Sequence, residues 1–211
     1  MIHGADVHLR KAPVGRKGKS TVDRIIDAAA EVLETRGYEA LTTNHIAEVA
    51  GVNIATLYKY FGNKQAILVA LTQRRSGHWK ELLGRCVDQI LDGMPWREAV
   101  STAIDIGAER RKTATGAAAM RTALKVCPEL QLLDRAGSTE AGVLVADMLI
   151  ARTGVDAVTA ARVGRVAVEV ARACLDLLLY EKPADYAAWV DEAKAAACNY
   201  LAPYFEDRAS L

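Results

Sequence analysis

The stretch from Leu41 to Lys64 constrains this chain more than any other. Ile46, Ala47 and Ala50 share one helical face, Gly51 and Asn53 follow, and Leu57 and Phe61 come one turn apart. Apolar residues at that spacing bury one side of a helix. A glycine just after the last of them stops the helix, because it adopts a left-handed backbone without a Cβ clash. Thr42 or Thr43 can cap the first helix and Asn53 the second, since a side-chain oxygen there accepts from N–H groups that a helix start leaves unsatisfied. The spacing therefore predicts a short helix, a glycine corner filled by Val52, and a second helix over Ile54–Tyr60. Leu57 and Phe61 point inward, while Ala55, Thr56, Lys59 and Tyr60 are left mostly outside.

Two short helices across a tight turn make a helix-turn-helix, whose second helix can lie in the major groove of DNA. The outward residues suit that task. Lys59 is a cation, Tyr58 and Tyr60 carry hydroxyls, and Thr56 can bond a phosphate or touch a thymine methyl. No acidic residue occurs from Ile54 to Lys64. Asn63 can cap a further helix, with Lys64 in its first turn. A cation there opposes the helix dipole, which fits a site where an anion such as a phosphate is expected. The candidate DNA contacts are Thr43, Asn44, Asn53, Ile54, Ala55, Thr56, Tyr58, Lys59, Tyr60 and Lys64. A place in the core of a small helical bundle accounts for Phe61 but not for the whole string.

Gly51-Val52-Asn53-Ile54-Ala55-Thr56-Leu57-Tyr58-Lys59-Tyr60-Phe61, followed by Lys64 and Leu68, resembles the DNA-binding signature of the tetracycline-repressor (TetR) family. That pattern runs glycine, an apolar residue, Ser, any residue, Gly, Thr, Leu, Tyr, any residue, Tyr or His, Phe, and soon a Lys. Asn53 in place of Ser keeps the capping oxygen, and Ala55 in place of Gly keeps the residue small. The resemblance runs from about Thr21 to Leu71. It implies an all-α fold of about nine helices, with an N-terminal three-helix DNA-binding domain and a C-terminal helical domain for effector binding and dimerisation. It also implies a sequence-specific transcriptional regulator, a repressor released from double-stranded operator DNA by a small-molecule effector.

The charge distribution agrees. The net charge of the chain is +1, but residues 1–20 hold Arg10, Lys11, Arg16, Lys17 and Lys19 against Asp6 alone. That segment reads as a flexible basic arm, either a plain tail or one in which Arg16, Lys17 and Lys19 reach phosphates or an adjacent minor groove. Ser20 or Thr21 then caps a first long helix from Thr21 to Arg36, with Asp23 near its positive end. The expected organisation is an arm over 1–20, a helix-turn-helix domain over 21–65 and a helical domain over 66–211.

Beyond Lys64 the pattern is helical throughout. Lys64–Leu91 is one long helix, or two broken near Gly77. Further helices are expected over Trp96–Arg111, Thr115–Val126, from Pro128 to a break at Thr153-Gly154, Val155–Tyr180 and Asp185–Tyr204. The helix from Val155 carries a band of small residues, Ala157, Ala160, Ala161, Gly164, Ala167, Ala171 and Cys174, which permits close helix approach. With the last helix it is the expected homodimer seam, since a twofold protein matches a palindromic site. Candidate effector contacts are Trp79, Trp96, Ile104, Met120, Leu124, Leu144, Met148 and Tyr180. With no strong cluster of buried charge visible, an apolar or aromatic effector is expected.

Other classes find little support. There is no G-x-S-x-G, no phosphate-binding glycine loop and no standout pair of carboxylates, so no catalytic residue is assigned and an enzyme is disfavoured. His3, His8, His45 and His78 lack metal-ligand spacing, so no metal and no cofactor is expected. A helical interaction protein of the same fold, sensing a protein partner, is the alternative. Cys86, Cys127, Cys174 and Cys198 lie in apolar helical stretches and read as buried free thiols. No apolar run reaches the roughly 20 residues that span a bilayer, and no signal-peptide core is seen. A cytoplasmic protein with no membrane partner is expected.

Overall fold

The computed structural model describes residues 9–206. Among them lie nine helices: α1 (Gly15–Arg36), α2 (Thr43–Val49), α3 (Ile54–Tyr60), α4 (Lys64–Leu91), α5 (Trp96–Thr113), α6 (Ala117–Val126), α7 (Pro128–Thr153), α8 (Ala157–Glu181) and α9 (Tyr186–Phe205). The all-α fold read from the pattern is the fold observed. Pro128 opens α7, where a missing N–H costs nothing. Asp156 caps α8 by accepting from Val158 N and Thr159 N, and those bonds hold its carboxyl below the ordinary range. Asp185 caps α9 through Ala188 N. Gly77 does not break α4, and Gly137 and Gly142 do not break α7.

The start of α1 departs from expectation. It begins at Gly15, six residues before Thr21, and neither Ser20 nor Thr21 caps it. The N-cap is Val14, which makes no side-chain cap bond, and Thr21 Oγ1 donates back to Lys17 O. Arg16, Lys17 and Lys19 are therefore exposed residues of the first helical turns, not members of a flexible arm. The polar run with two glycines hid this. Gly18 is buried in the helix, where a Cβ would stand 3.4 Å from the Tyr60 hydroxyl and from Pro13 C. The part of the arm over residues 1–8 lies outside the described residues.

The chain forms two compact units. One takes the chain up to Ser76 together with Ala114–Asp134, and the other takes Gly77–Thr113 with the chain from Arg135 onward. This differs from a division at residue 65. The first part of α4 packs with the N-terminal bundle, and so does all of α6. The first unit's core joins Ile25, Val32, Leu33, Leu41, Ile46, Leu57, Phe61 and Ile67–Leu68 to Met120, Ala123, Cys127 and Leu130. The Glu34 carboxylate accepts from Gly116 N at 2.6 Å, at the start of α6. Gly116 has φ +72°, and a Cβ there would stand 2.7 Å from Ala30 O. Only glycine allows that approach.

In the second unit, Val87, Ala99, Val145, Met148, Leu149, Val163 and Leu201 form the larger core. A smaller one gathers Ile104, Ala108, Leu175, Leu178, Val190 and Ala197. The small-residue band of α8 is divided. Ala160, Gly164 and Ala167 are buried within the chain, while Ala157 and Ala161 are exposed. A Cβ on Gly164 would lie 2.4 Å from Gly142 O and 2.9 Å from Ala146 N, so α7 and α8 cross with their backbones in contact. Sequence spacing identifies a small-residue face but cannot say which helix covers it. Cys86, Cys127 and Cys198 are buried and Cys174 is half-buried, all as free thiols.

The two kinds of helical glycine predict opposite responses. Gly164→Ala forces backbone against backbone, and overpacking of this kind costs about 1–3 kcal/mol. Gly137 has nothing within 4 Å of its Cβ position, so Gly137→Ala gains about 0.5–1 kcal/mol of helix propensity. Urea unfolding should show the midpoint falling for the first variant and rising for the second. Equal midpoints for the two would show that the crossing is not tight.

Candidate nucleic-acid interface

The geometry of α2 and α3 is set by their caps and by the turn between them. Thr42 Oγ1 accepts from His45 N at 3.2 Å, and Asn53 Oδ1 accepts from Ala55 N at 2.8 Å. Gly51 has φ +60°. With that backbone, Gly51 N reaches Glu48 O and Val52 N reaches Ala47 O, which satisfies two carbonyls at the end of α2. Ile46, Leu57 and Phe61 are fully buried beneath.

A residue that sequence reasoning missed braces this turn. Arg24 on α1 donates from Nε to Ala50 O at 3.2 Å and from Nη2 to Gly51 O at 2.9 Å. Its guanidinium so ties the first helix to the corner of the motif. Arg24 stands 26 positions from Ala50, and an arginine on the exposed side of α1 carries no local mark of such a role.

The outward surface of α3 holds Ala55, Tyr58 and Lys59, all exposed, with Thr56 and Ile54 half-buried. Asn44 and Asn53 are exposed at the two helix starts, and Thr43 is half-buried. Thr43 Oγ1 and the Tyr58 hydroxyl are 3.0 Å apart and hydrogen-bonded, so one fixes the other. Tyr60 departs from expectation. It is only 7% exposed and belongs to the core. The reason is its place one position before Phe61, at the end of α3, where the ring turns toward Gly18 of α1. Its face still supports a cation, since Lys59 Nζ lies 5.5 Å from the ring centroid.

Lys64 opens α4, whose start is capped by Asn63 Oδ1 accepting from Ala66 N at 2.8 Å. The Lys64 ammonium lies 4.7 Å above the Tyr38 ring, and burial pushes the Tyr38 phenol's pKa upward. A neutral phenol ring offers its negative face to the ammonium. Lys59 and Lys64 thus flank the end of α3 with no acid between Ile54 and Lys64. The surface has hydroxyls, an amide and cations on a short exposed helix, which suits contact with a polyanionic duplex.

A family described as bacterial regulatory proteins, tetR family, matches residues 25–71, and one described as tetracyclin repressor-like, C-terminal domain, matches residues 95–201. The chain belongs to the tetracycline-repressor family. Its TetR-type relatives include the uncharacterized HTH-type transcriptional regulator YvkB of Bacillus subtilis, 42% identical over 65 residues, which is 31% of this chain and 34% of that protein. The fatty acid metabolism regulator protein of the same organism is 43% identical over 58 residues, 28% and 30% of the two chains. The chain thus spans about a third of the length of these curated relatives. A TetR-family transcriptional regulator from Streptomyces coelicolor shares the fold with a TM-score of 0.62 at 27% identity, over 86% of this chain and 97% of the other. The fatty acid degradation regulator FadR from Bacillus halodurans does so with a TM-score of 0.65 at 22% identity, over 89% and 96%. These families and relatives are regulators, not enzymes.

The eight candidate effector contacts divide between the two units. Met120 and Leu124 pack into the core of the first unit. Trp96, Leu144 and Met148 pack in the larger core of the second, where Trp96 stacks on Phe205 with ring centroids 4.6 Å apart. Ile104 is in the smaller core, Trp79 approaches Gly107, and Tyr180 is exposed. Partly buried charge is also present in the second unit, contrary to expectation. Arg111 pairs with Asp176 at 3.0 Å, Arg172 bonds Ser138 Oγ at 3.0 Å and Glu169 at 3.1 Å, and Arg165 also pairs with Glu169. These groups come from three helices, so in the sequence they read as separate polar positions.

The cap of α3 offers a direct test. Asn53→Ala removes the bond to Ala55 N and should cost about 0.5–2 kcal/mol. Chemical denaturation should register that loss, while Asn53→Ser, which keeps a capping oxygen, should stay near the parent value. If Asn53→Ala unfolds at the parent midpoint, the side chain does not fix the start of this helix.

Proposed function

We propose that this protein is a sequence-specific DNA-binding transcriptional regulator of the TetR type, acting as a repressor that a small-molecule effector releases. The observation that carries this reading is the surface of α3. Its apolar residues Leu57 and Phe61 are buried, while Ala55, Tyr58 and Lys59 are presented outward beside Lys64. The helix inserts into the major groove, with Ala55, Thr56 and Tyr58 at base edges and Lys59 and Lys64 on phosphates. Thr43 and Asn44 at the start of α2 contact the backbone of the duplex. Among the described residues no helix is long and apolar enough to cross a membrane, which fits a cytoplasmic regulator.

The operative form is a homodimer through α8 and α9. With Ala160, Gly164 and Ala167 of the small-residue band buried inside the chain, the support is a different face. Val158, Val166, Leu177 and Tyr180 on α8 and Trp189 on α9 are exposed apolar side chains of one subunit. Large apolar side chains left exposed on neighbouring helices support an interaction surface. Val166→Glu should leave the subunit folded and yield monomers in sedimentation at micromolar concentration. A monomeric parent protein would end the dimer reading.

The effector has an apolar or aromatic body and binds in the second unit. The partly buried arginines on α5 and α8 offer a place for an acidic group on that body. The structure of Thermus thermophilus FadR in complex with lauroyl-CoA, 21% identical, shares this fold with a TM-score of 0.58 over 83% of this chain and 92% of that one. Long-chain acyl-CoA is therefore the first compound to try. Because α4 contributes residues to both units, effector binding there lowers operator affinity, and reciprocity requires DNA to weaken the effector by the same factor.

Selection of binding sites from random DNA, followed by titration at several salt concentrations, tests the core of the reading. A palindromic consensus is expected. Lys64→Ala should weaken all sequences about equally and reduce the slope of log K against log salt by about 0.9. Recovery of no consensus from the selection would overturn the proposal.

A further inference from the structure

The N-terminal segment brings a cation to the turn between α3 and α4. Leu9 forms an isolated antiparallel bridge with Phe61, and Arg10 N donates to Tyr60 O at 2.9 Å. Those are main-chain links, so they hold position 10 whatever its side chain. The guanidinium lies over Gly62. A Cβ on that glycine would stand 2.9 Å from Arg10 Nε and 3.2 Å from Cζ, so the missing side chain is what lets the planar group lie so close. Arg10 has no carboxylate partner among the described residues. Its surroundings in the sequence are cationic: Arg10, Lys11, Arg16 and Lys17 lie in residues 9–18, Lys59 and Lys64 in residues 54–64, and neither stretch contains an acid.

Main-chain bonds set where the Arg10 side chain starts, and Gly62 leaves room for its guanidinium beside the turn. A cation so placed suits an anion, and the anion that the neighbouring α3 surface is shaped for is a nucleic-acid phosphate. A guanidinium binds a phosphate with two parallel N–H bonds, and it does so better the less it must be ordered on binding. We propose that Arg10 is a pre-positioned phosphate clamp, gripping the DNA backbone beside the turn from α3 into α4. The clamp rests on the DNA-binding reading above and extends the interface to a residue 50 positions before Tyr60, where α3 ends. It contributes grip and orientation rather than base selection, since phosphates carry no sequence information.

The test compares the full-length protein with Arg10→Gln and Arg10→Lys on its selected operator and on an unrelated duplex, each over a range of salt. Arg10→Gln should lower the slope of log K against log salt by about 0.9 and weaken both duplexes by the same factor. Arg10→Lys should restore the slope. Melting temperature should not move, because the anchoring bonds are main-chain. A parent-like slope for Arg10→Gln sinks the clamp even if affinity falls, and shows that Arg10 merely shapes the turn. A change of base preference also sinks it. Failure of the parent protein to bind any duplex overturns the DNA-binding reading itself, and the clamp with it.

Discussion

The left-handed backbone at Gly51 and the guanidinium that closes over it determine how α3 is presented. The turn satisfies two carbonyls of α2 from within, and Arg24 takes up Ala50 O and Gly51 O from α1. A Cβ at Gly51 would meet Arg24 Nη2 at 3.3 Å, so the glycine serves both the turn and the brace. Carbonyls left over at a helix end need partners, and here the partner is a side chain from another helix. The angle of α3 thus belongs to the three-helix assembly and not to the two short helices alone. Each of those has only 7 residues, too few to be stable in isolation.

The same unit reaches further along the chain than the motif does. Glu34 caps the start of α6 and Gly116 permits backbone contact with Ala30, so a helix far beyond the motif completes its core. Met120, Ala123, Cys127 and Leu130 lie in one cluster with Ile25, Leu33 and Leu71. The packing beneath the outward surface of α3 is consequently built from two separate segments. Cys127 is buried there with its thiol donating to Glu129 Oε2 at 3.1 Å, and burial raises its pKa first and that bond second. It behaves as a core residue, not as a reactive thiol.

In the second unit the decisive contact is between backbones. Gly142 on α7 and Gly164 on α8 let the helices meet with Gly142 O 2.4 Å from the vacant Cβ position of Gly164. With Ala160, Gly164 and Ala167 buried, Val158, Val166, Leu177 and Trp189 remain as exposed apolar side chains of α8 and α9. Polar groups follow a similar logic. Arg111, Asp176, Arg172, Glu169 and Ser138 compensate one another across α5, α7 and α8.

What the sequence determined by itself was local. Thr42, Asn53 and Asn63 announce helix starts because a cap is an interaction within three residues. Gly51 announces the corner, Leu57 and Phe61 the buried side of α3, and the recurring apolar spacing the all-α class. The tertiary structure decided whatever depends on residues far apart meeting. It carried Tyr60 inward toward Gly18, extended α1 back to Gly15 and set Arg10 over Gly62. It set Gly164 of the α8 band against α7, gave α6 to the first unit and put Met120 and Trp96 in the cores of different units. Helical periodicity states which face is buried, whereas the identity of the covering element is a matter of long-range packing that no local spacing encodes.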